Sequence, residues 1–286
     1  MKKSPLNAGA ERVASSLLEN QLTRSYLNYV GRHILLLTET GRGLGAFTLI
    51  TLGVTLTKFD TAQQVIQPLI RRQIDRAGLR QLPIVGFAAA ALGLVIIGQT
   101  VSLLSKVGAQ NYIGTVMVTV IVRELGPLAA ALLVLARVGT ATVIELGTAR
   151  ALGEVEALEA LGIDPIHYLV VPRVLGLAIS IFALTVFLIL IALGSGYLFA
   201  FLQDVQLRPG EYFGQLARAM MWQDFILLGL KTFCFGAIIA LATCYQGLAQ
   251  PLRLEEVANA TTRAVVLSIV SCVLLDAFFI VVYLIL

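Results

Sequence analysis

Four ionisable side chains stand inside apolar stretches of this sequence. Arg123 and Glu124 interrupt the run VIVRELGPLAAALL, and Lys231 and Asp276 lie within two later apolar runs. A charged residue in a bilayer costs at least about 2.5 to 3.5 kcal/mol on insertion scales, so it normally faces a partner or a watery cavity. The four formal charges sum to zero. Two interpretations stay open: these residues line a substrate path, or they form neutralising pairs that fix helix register.

Lys231 has two kinds of possible partner in this setting. One is an acidic side chain, Glu124 or Asp276, and the other is a lipid phosphate, for which lysine is a good point-charge partner. Pro127 follows Arg123 by four residues and removes a backbone hydrogen bond, which predicts a kink in that span. The kink would either open a cavity or be a static bend tolerated by neighbouring helices.

The remaining residues do not favour nucleophilic catalysis. A serine nucleophile needs a base within hydrogen-bonding reach, and Ser195 lies far along an apolar run while His33 and His167 are expected at or outside the membrane boundary. The three cysteines have spacings that suit neither a zinc site nor a disulfide framework. The sequence therefore predicts no catalytic residue, no metal site and no cofactor held by this chain.

The composition indicates an all-α integral membrane protein. The chain has 286 residues, of which 58% are hydrophobic and 13% charged, against roughly 25% charged residues in soluble domains. An apolar run of about 20 residues spans the hydrocarbon core as a helix. Five such spans are predicted: Ile84 to Leu104, Ile113 to Ala136, Val174 to Phe201, Phe225 to Tyr245, and Ala264 to Leu286.

The distribution of basic residues predicts the orientation of the spans. Eleven of the 21 Lys and Arg residues precede Pro83, whereas the loops at 105–112 and 202–224 carry only Lys106, Arg208 and Arg218. The positive-inside rule then places the N-terminus in the cytoplasm and, after five spans, the C-terminus outside. The loops at 145–173 and 249–263 are expected on the cytoplasmic side.

The first 82 residues are predicted to form a cytoplasmic and interfacial region, followed by a transmembrane domain over 83–286. Leu18, Leu22, Tyr26 and Tyr29 recur at helical spacing, as in a helix that lies on the membrane surface; packing of that helix on protein is the alternative. The run at 43–57 is short for a span and is expected to be interfacial or re-entrant.

An acidic stretch, ALGEVEALEALGIDPIHYLVVPR, separates two apolar runs. Good helix formers between Gly153 and Gly162 predict a short helix that Gly162 ends and Pro165 cannot continue. On a helical wheel Ala157, Leu158 and Leu161 share one face and Glu156 and Glu159 lie on the other, with Glu154 intruding on the apolar side. From this pattern alone a solvated helix is favoured over one that docks in a partner.

The region around that stretch resembles a known family. The segment RELGPLAAALLVLARVGTATVIELGTARALGEVEALEALGIDPIHYLVVPRVLG, with CYQGL at 244–248 and ATTRAVV at 260–266, is similar to the signature of MlaE-type permeases, the membrane subunits of lipid-handling ABC transporters. The resemblance runs from about Gly86 to the C-terminus. It implies a five-span permease of the bacterial inner membrane, or of an organelle inner envelope, that moves phospholipid or a related amphiphile.

The resemblance also implies partners and roles. It implies a homodimer, a cytoplasmic ATPase that binds ATP and magnesium, and an MCE-domain protein on the far side, and it predicts no nucleic acid. The acidic stretch would be the coupling helix that inserts into the ATPase, through Glu154, Glu156, Leu158, Glu159, Leu161 and Asp164. Because the chain has no GxxxxGK[ST] loop, ATP is expected on the partner. Independently of the resemblance, the cost of charges in the bilayer makes Arg123, Glu124, Lys231 and Asp276 the candidates for the substrate path, with neutralising pairs as the alternative.

The sequence departs from the family pattern in two places, and one alternative function remains. Gly153 stands where the family commonly has glutamate, and Glu256 and Ala258 replace glycines in the loop before the last span. The alternative is a self-contained secondary transporter or channel that uses the intramembrane charges as a relay. Five spans without visible internal repeats argue against it.

Overall fold

The computed structural model of the chain describes residues 41–55, 57, 63–202, 209–248 and 253–285. By internal contacts the chain divides into a unit of residues 1–49 and a larger unit of residues 50–286. The predicted surface helix around Leu18 to Tyr29 lies outside the described residues, as does His33. Residues 41–49 and 50–55 are helical; the interfacial placement of the run at 43–57 stays a prediction.

The described residues contain five helical segments that are long and apolar enough to cross a membrane, which confirms the predicted all-α, five-span architecture. We number them spans 1 to 5: Ile66–Lys106, Ile113–Ala151, Ile166–Phe199, Trp222–Leu248 and Leu254–Ile285. Several are longer than predicted, since helical backbone continues past the apolar residues that a hydropathy pattern detects. Span 1 gains its first turns from QQVIQPLIRRQIDRA, a polar sequence.

The spans are built from shorter helices joined by local changes of helix type. We label the α-helices of the larger unit α1 (50–55), α2 (Gln63–Ala77), α3 (Leu82–Leu92), α4 (Gly98–Lys106), α5 (Ile113–Met117), α6 (Gly126–Val134), α7 (Thr140–Ala151), α8 (Glu154–Ala160), α9 (Val171–Leu202), α10 (Pro209–Ala219), α11 (Trp222–Leu248) and α12 (Val257–Ile285). Wider π-helical turns interrupt spans 1 to 3 at Gly93–Ile97, Val118–Leu125, Leu135–Gly139 and Ile166–Val170.

Helix α9 lies at the centre of the larger unit, where it contacts α2, α3, α6 and α11. Small residues allow this close packing. A Cβ at Gly93 would lie 2.9 Å from the backbone carbon of Ala192 in α9, and the Ser195 hydroxyl donates to the carbonyl of Ala90 at 3.2 Å. The small residues Ala90 and Gly93 of span 1 thus pack against span 3, and Ser195 belongs to that contact.

Helix α10 packs at the end of the bundle opposite to α8. Its Tyr212 and Leu216 are buried, and the Tyr212 hydroxyl donates to the carbonyl of Leu193 at 3.3 Å. Burial raises the pKa of the Tyr212 phenol, so the group remains a hydrogen-bond donor at neutral pH. This contact holds the 209–219 segment against span 3.

Candidate functional site

The structure brings the four intramembrane charges predicted from the sequence into one cluster. Arg123 and Glu124 come from span 2, Lys231 from span 4 and Asp276 from span 5. A fifth charged residue, Asp224 of span 4, joins them by an ion pair with Arg123. We call these five residues the charge cluster.

Lys231 occupies the centre of the charge cluster. Its side chain is completely buried, and its ammonium lies 3.0 Å from the Glu124 Oε2 atom and 2.6 Å from the Asp276 Oδ1 atom. It also donates to the backbone carbonyl of Arg123 at 2.8 Å. An ammonium has three N–H donors; it donates hydrogen bonds to Glu124 and to the Arg123 carbonyl, and Asp276 lies within ion-pair distance of the same nitrogen. The partners of Lys231 in this structure are therefore acidic side chains and a backbone carbonyl.

The local backbone of span 2 explains one of those acceptors. Pro127 has no N–H, so it cannot bond to the carbonyl of Arg123 four residues earlier. That carbonyl accepts the hydrogen bond from Lys231. Arg123 and Glu124 also lie in the π-helical turn Val118–Leu125, a feature frequent at functional sites. Pro127 thus follows a widened turn in a continuous span and leaves a carbonyl for the partner lysine.

The second ion pair of the charge cluster joins Arg123 to Asp224. The Arg123 Nε atom lies 2.9 Å from the Asp224 Oδ1 atom, and Nη2 lies 3.2 Å from Oδ2. The Oδ2 atom also accepts the N–H of Met221 at 2.9 Å. The guanidinium stacks 5.1 Å from the ring centre of Tyr283, an additional cation–π contact.

Sequence reasoning missed Asp224 and Tyr283, although their spacing carried a signal. Asp224 precedes Lys231 by seven residues, and Tyr283 follows Asp276 by seven. Residues seven apart share a helix face, two turns removed. The fourth predicted span begins at Phe225, so Asp224 falls in the loop before it. Asp224 and Lys231 are therefore not recognised as two residues on one face of the same helix.

The charge cluster is open to its surroundings at two of its members. The side chains of Glu124 and Arg123 are 27% and 24% exposed, whereas Lys231 is fully enclosed. Arg123 has five N–H donors, of which one on Nη2 donates to Asp224. A polar ligand that reached the cluster would therefore meet Arg123 and Glu124 first. Lys231 would act behind them by holding Glu124 in place.

The acidic stretch forms α8, a seven-residue helix with a left-handed glycine at each side. Gly153 precedes it with φ of 77° and Gly162 follows it with φ of 75°. The N–H of Gly162 bonds to the carbonyl of Glu159, and that of Ile163 bonds to the carbonyl of Leu158, which together form a Schellman motif. The predicted end at Gly162 is confirmed. A glutamate at position 153 would be strained at this φ, so the departure from the family pattern fits the local backbone.

The face of α8 that packs on the bundle differs from the predicted apolar face. Val155 is buried and Leu158 half-buried, while Ala157 is exposed and Leu161 is 75% exposed. Leu152 and Ile163, which flank the helix, are 60% and 40% exposed. Exposed leucine and isoleucine beside acidic residues are typical of a surface that another protein covers.

The carboxylates around α8 have different partners. Glu156 forms an ion pair with Arg150 at 3.1 Å, while Glu154 and Glu159 are exposed. Asp164 accepts the N–H of Ile166 at 3.0 Å and so caps the start of span 3. Glu154, Glu156, Glu159 and Leu161 therefore form the exposed part of the predicted coupling set, although Glu156 is paired with Arg150, whereas Asp164 has a structural contact within the chain.

A further ion-pair network holds the spans together at the α8 end. Glu145 of α7 lies 2.7 Å from Arg76 of α2 and 3.4 Å from Arg173 of α9. The network joins spans 1, 2 and 3 beside the segment that carries α8. It was not predicted, because its members lie near the polar ends of three separate spans.

The comparisons with known proteins place the chain among transport permeases. The family model described as Permease MlaE matches residues 70–282. A probable ABC transporter permease protein of Rickettsia typhi is 32% identical over 84% of this chain and 90% of its own length. The intermembrane phospholipid transport system permease protein MlaE of Haemophilus influenzae is 25% identical over 85% and 91%. The chloroplastic protein TRIGALACTOSYLDIACYLGLYCEROL 1 of Arabidopsis thaliana is 29% identical over 72% of this chain and 58% of that protein.

Proposed function

The chain belongs to the MlaE permease family, and from this premise we propose that it moves a phospholipid or related amphiphile, driven by a separate ATPase. It is a multi-pass membrane transport subunit and not an enzyme. We further propose that it works as a homodimer in the bacterial inner membrane, or in an organelle inner envelope, with an MCE-domain protein on the far side. ATP and magnesium would bind the ATPase subunit.

The exposed surface of α8 is the observation that best supports an ATPase partner. Val155 anchors the helix to the bundle, and Leu152, Leu161 and Ile163 stay exposed next to Glu154 and Glu159. An apolar centre with a charged rim is the arrangement that protein interfaces use. We assign this surface, α8 with its two flanking turns, to the contact with the ATPase.

Replacing Leu161 with glutamate is expected to weaken capture of the ATPase at least about tenfold, or roughly 1.4 kcal/mol. The reason is that Leu161 is exposed and would become a buried charge in the interface. Capture by the purified permease in detergent measures the effect. Glu159→Lys should weaken capture as well. Glu156→Lys is a poorer test, since Glu156 pairs with Arg150 within the chain.

The matched control for this experiment is Glu211→Lys, which reverses an exposed charge on α10 at the opposite end of the bundle. Full ATPase capture by both Leu161→Glu and Glu159→Lys would contradict the assignment and return α8 to a solvated loop helix. Failure of the wild-type permease to retain any ATPase would favour the secondary transporter instead.

The proposed orientation gives a separate prediction. A cysteine at Ala160, exposed on α8, should react with a membrane-impermeant thiol reagent only from the cytoplasm, and one at Gly210, exposed on α10, only from outside. The physical reason is the excess of Lys and Arg before the first predicted span. The background lacks Cys234, Cys244 and Cys272. Labelling of both positions from one side would contradict the five-span topology.

We propose that the charge cluster borders the lipid path. In support, Arg123 and Glu124 are partly exposed and Arg123 keeps N–H donors beyond its pair with Asp224. Arginine suits bidentate contact with phosphate. Mass spectrometry of lipids that co-purify with wild type and with Arg123→Gln would test this: the variant is expected to lose phosphate-bearing lipids. An unchanged lipid profile would leave the cluster with a purely structural role.

A further inference from the structure

The charge cluster contains more acidic than basic groups. With every group ionised, Arg123 and Lys231 supply two positive charges, against three negative charges from Glu124, Asp224 and Asp276. Cys272, one turn before Asp276 in span 5, and Tyr283 are the other titratable groups close by, and both types are neutral at neutral pH. The cluster would therefore carry one unbalanced negative charge within the bilayer.

The surplus negative charge lies on Glu124 and Asp276. Asp224 has its own cation, Arg123, at two contacts and also accepts the Met221 N–H. Asp224 therefore has a cation that it does not share with another carboxylate. Glu124 and Asp276, by contrast, share the single ammonium of Lys231. Two carboxylates that share a site seldom both ionise.

We propose that Glu124 and Asp276 bind one proton between them, so that the resting charge cluster is neutral. The ligand is a proton because the Lys231 ammonium already occupies the position between the two carboxylates, where a metal ion would meet a positive charge. Taking up a proton also removes the cost of an unpaired ion in a medium of low dielectric constant. The site is thus a proton-binding site formed between spans 2, 4 and 5.

Infrared spectroscopy of the full-length protein in lipid nanodiscs tests the proposal directly. A protonated carboxyl group has a C=O stretch at higher frequency than a carboxylate, and that band shifts in D2O. The wild type at neutral pH is expected to show such a band, and carboxyl-13C labelling of aspartate and glutamate in turn is expected to shift it. Absence of a protonated carboxyl band in the wild type overturns the proposal.

Single amide variants supply the second part of the test. In Glu124→Gln or Asp276→Asn one carboxylate remains for Lys231, so the band is expected to disappear while the melting temperature stays close to that of the wild type. The control Glu211→Gln, which removes an exposed carboxyl group on α10, should keep the band. Survival of the band in either single variant overturns the proposal.

The double variant separates a shared proton from two independent acids. Glu124→Gln with Asp276→Asn leaves Lys231 without a carboxylate, so its melting temperature is expected to fall by more than the sum of the two single changes. A fall in melting temperature that equals the sum of the two single effects would mean that the two carboxyl groups act independently, and would overturn the proposal.

Discussion

Replacing Lys231 with alanine is expected to destabilise the folded protein by about 3 to 5 kcal/mol, the usual cost of removing one partner of a buried ion pair. Lys231 is fully buried, donates hydrogen bonds to Glu124 and the Arg123 carbonyl, and forms an ion pair with Asp276. Its loss leaves the two carboxylates without their cation and the carbonyl without its donor. The measurement is the amount of monodisperse protein recovered in detergent and its melting temperature.

Leu230→Ala is the matched control, because it truncates the neighbouring side chain, which is 54% exposed on the surface of the same span. A rescue variant sharpens the result. Lys231→Met together with Glu124→Gln and Asp276→Asn removes the charges jointly, and such replacement of a buried ionic group is often neutral. We expect the triple variant to recover most of the stability that Lys231→Ala loses.

The outcomes of Lys231→Ala also distinguish the interpretations left open by the sequence. Lost stability favours a structural ion pair. Normal assembly with reduced lipid transfer in reconstituted vesicles would favour contact with a lipid phosphate. Normal assembly with normal transfer would contradict both interpretations, and the complete burial of Lys231 argues against a side chain that simply extends to the membrane surface.

The five-span architecture was predictable because each span contains about 20 apolar residues, which the bilayer itself requires. The π-helical turns were not predictable in this way. The turn at Val118–Leu125 carries Arg123 and Glu124, which contact span 4 and, through Tyr283, span 5, and a pattern within one helix does not contain such tertiary contacts. Likewise, the carbonyl that Pro127 leaves without an N–H donor could be assigned to Lys231 only once the position of Lys231 was known.

In the charge cluster and in α8, residue type alone predicts some features of the structure but not which residues pair or which face is buried. The free-energy cost of a charge in the bilayer was enough to predict that the intramembrane charges have partners. The pairing of Arg123 with Asp224 could not be predicted, because span 4 begins at Trp222 and not at Phe225. For α8, the glycines predicted the length. The buried face could not be read from seven residues, because Val155 and Leu161 are both apolar and only the bundle decides between them.

Gly236→Ala is expected to cost about 1 to 3 kcal/mol, as overpacking of a well-packed interior does. At this residue the backbone of span 4 lies close to that of span 3: a Cβ there would lie 2.7 Å from the backbone nitrogen of Ala178 and 2.9 Å from the backbone carbon of Leu177. Backbone atoms cannot move aside as a flexible side chain can. The two spans would have to separate, and the expected result is a lower melting temperature and less protein in the membrane fraction.

Gly229→Ala provides the matched control for Gly236→Ala on the same helix. A Cβ at Gly229 would meet only the Phe182 ring at 3.9 Å, an ordinary contact. Alanine is also the better helix former, by about 1 kcal/mol in soluble hosts, so this variant should be neutral or slightly stabilised. Equal melting temperatures for the two variants would mean that the bundle tolerates separation of spans 3 and 4.

Because Lys231 lies on span 4 five residues before Gly236, a Gly236→Ala protein that still folds should also show altered contacts of Lys231 with Glu124. The change is detectable in the protonated carboxyl band.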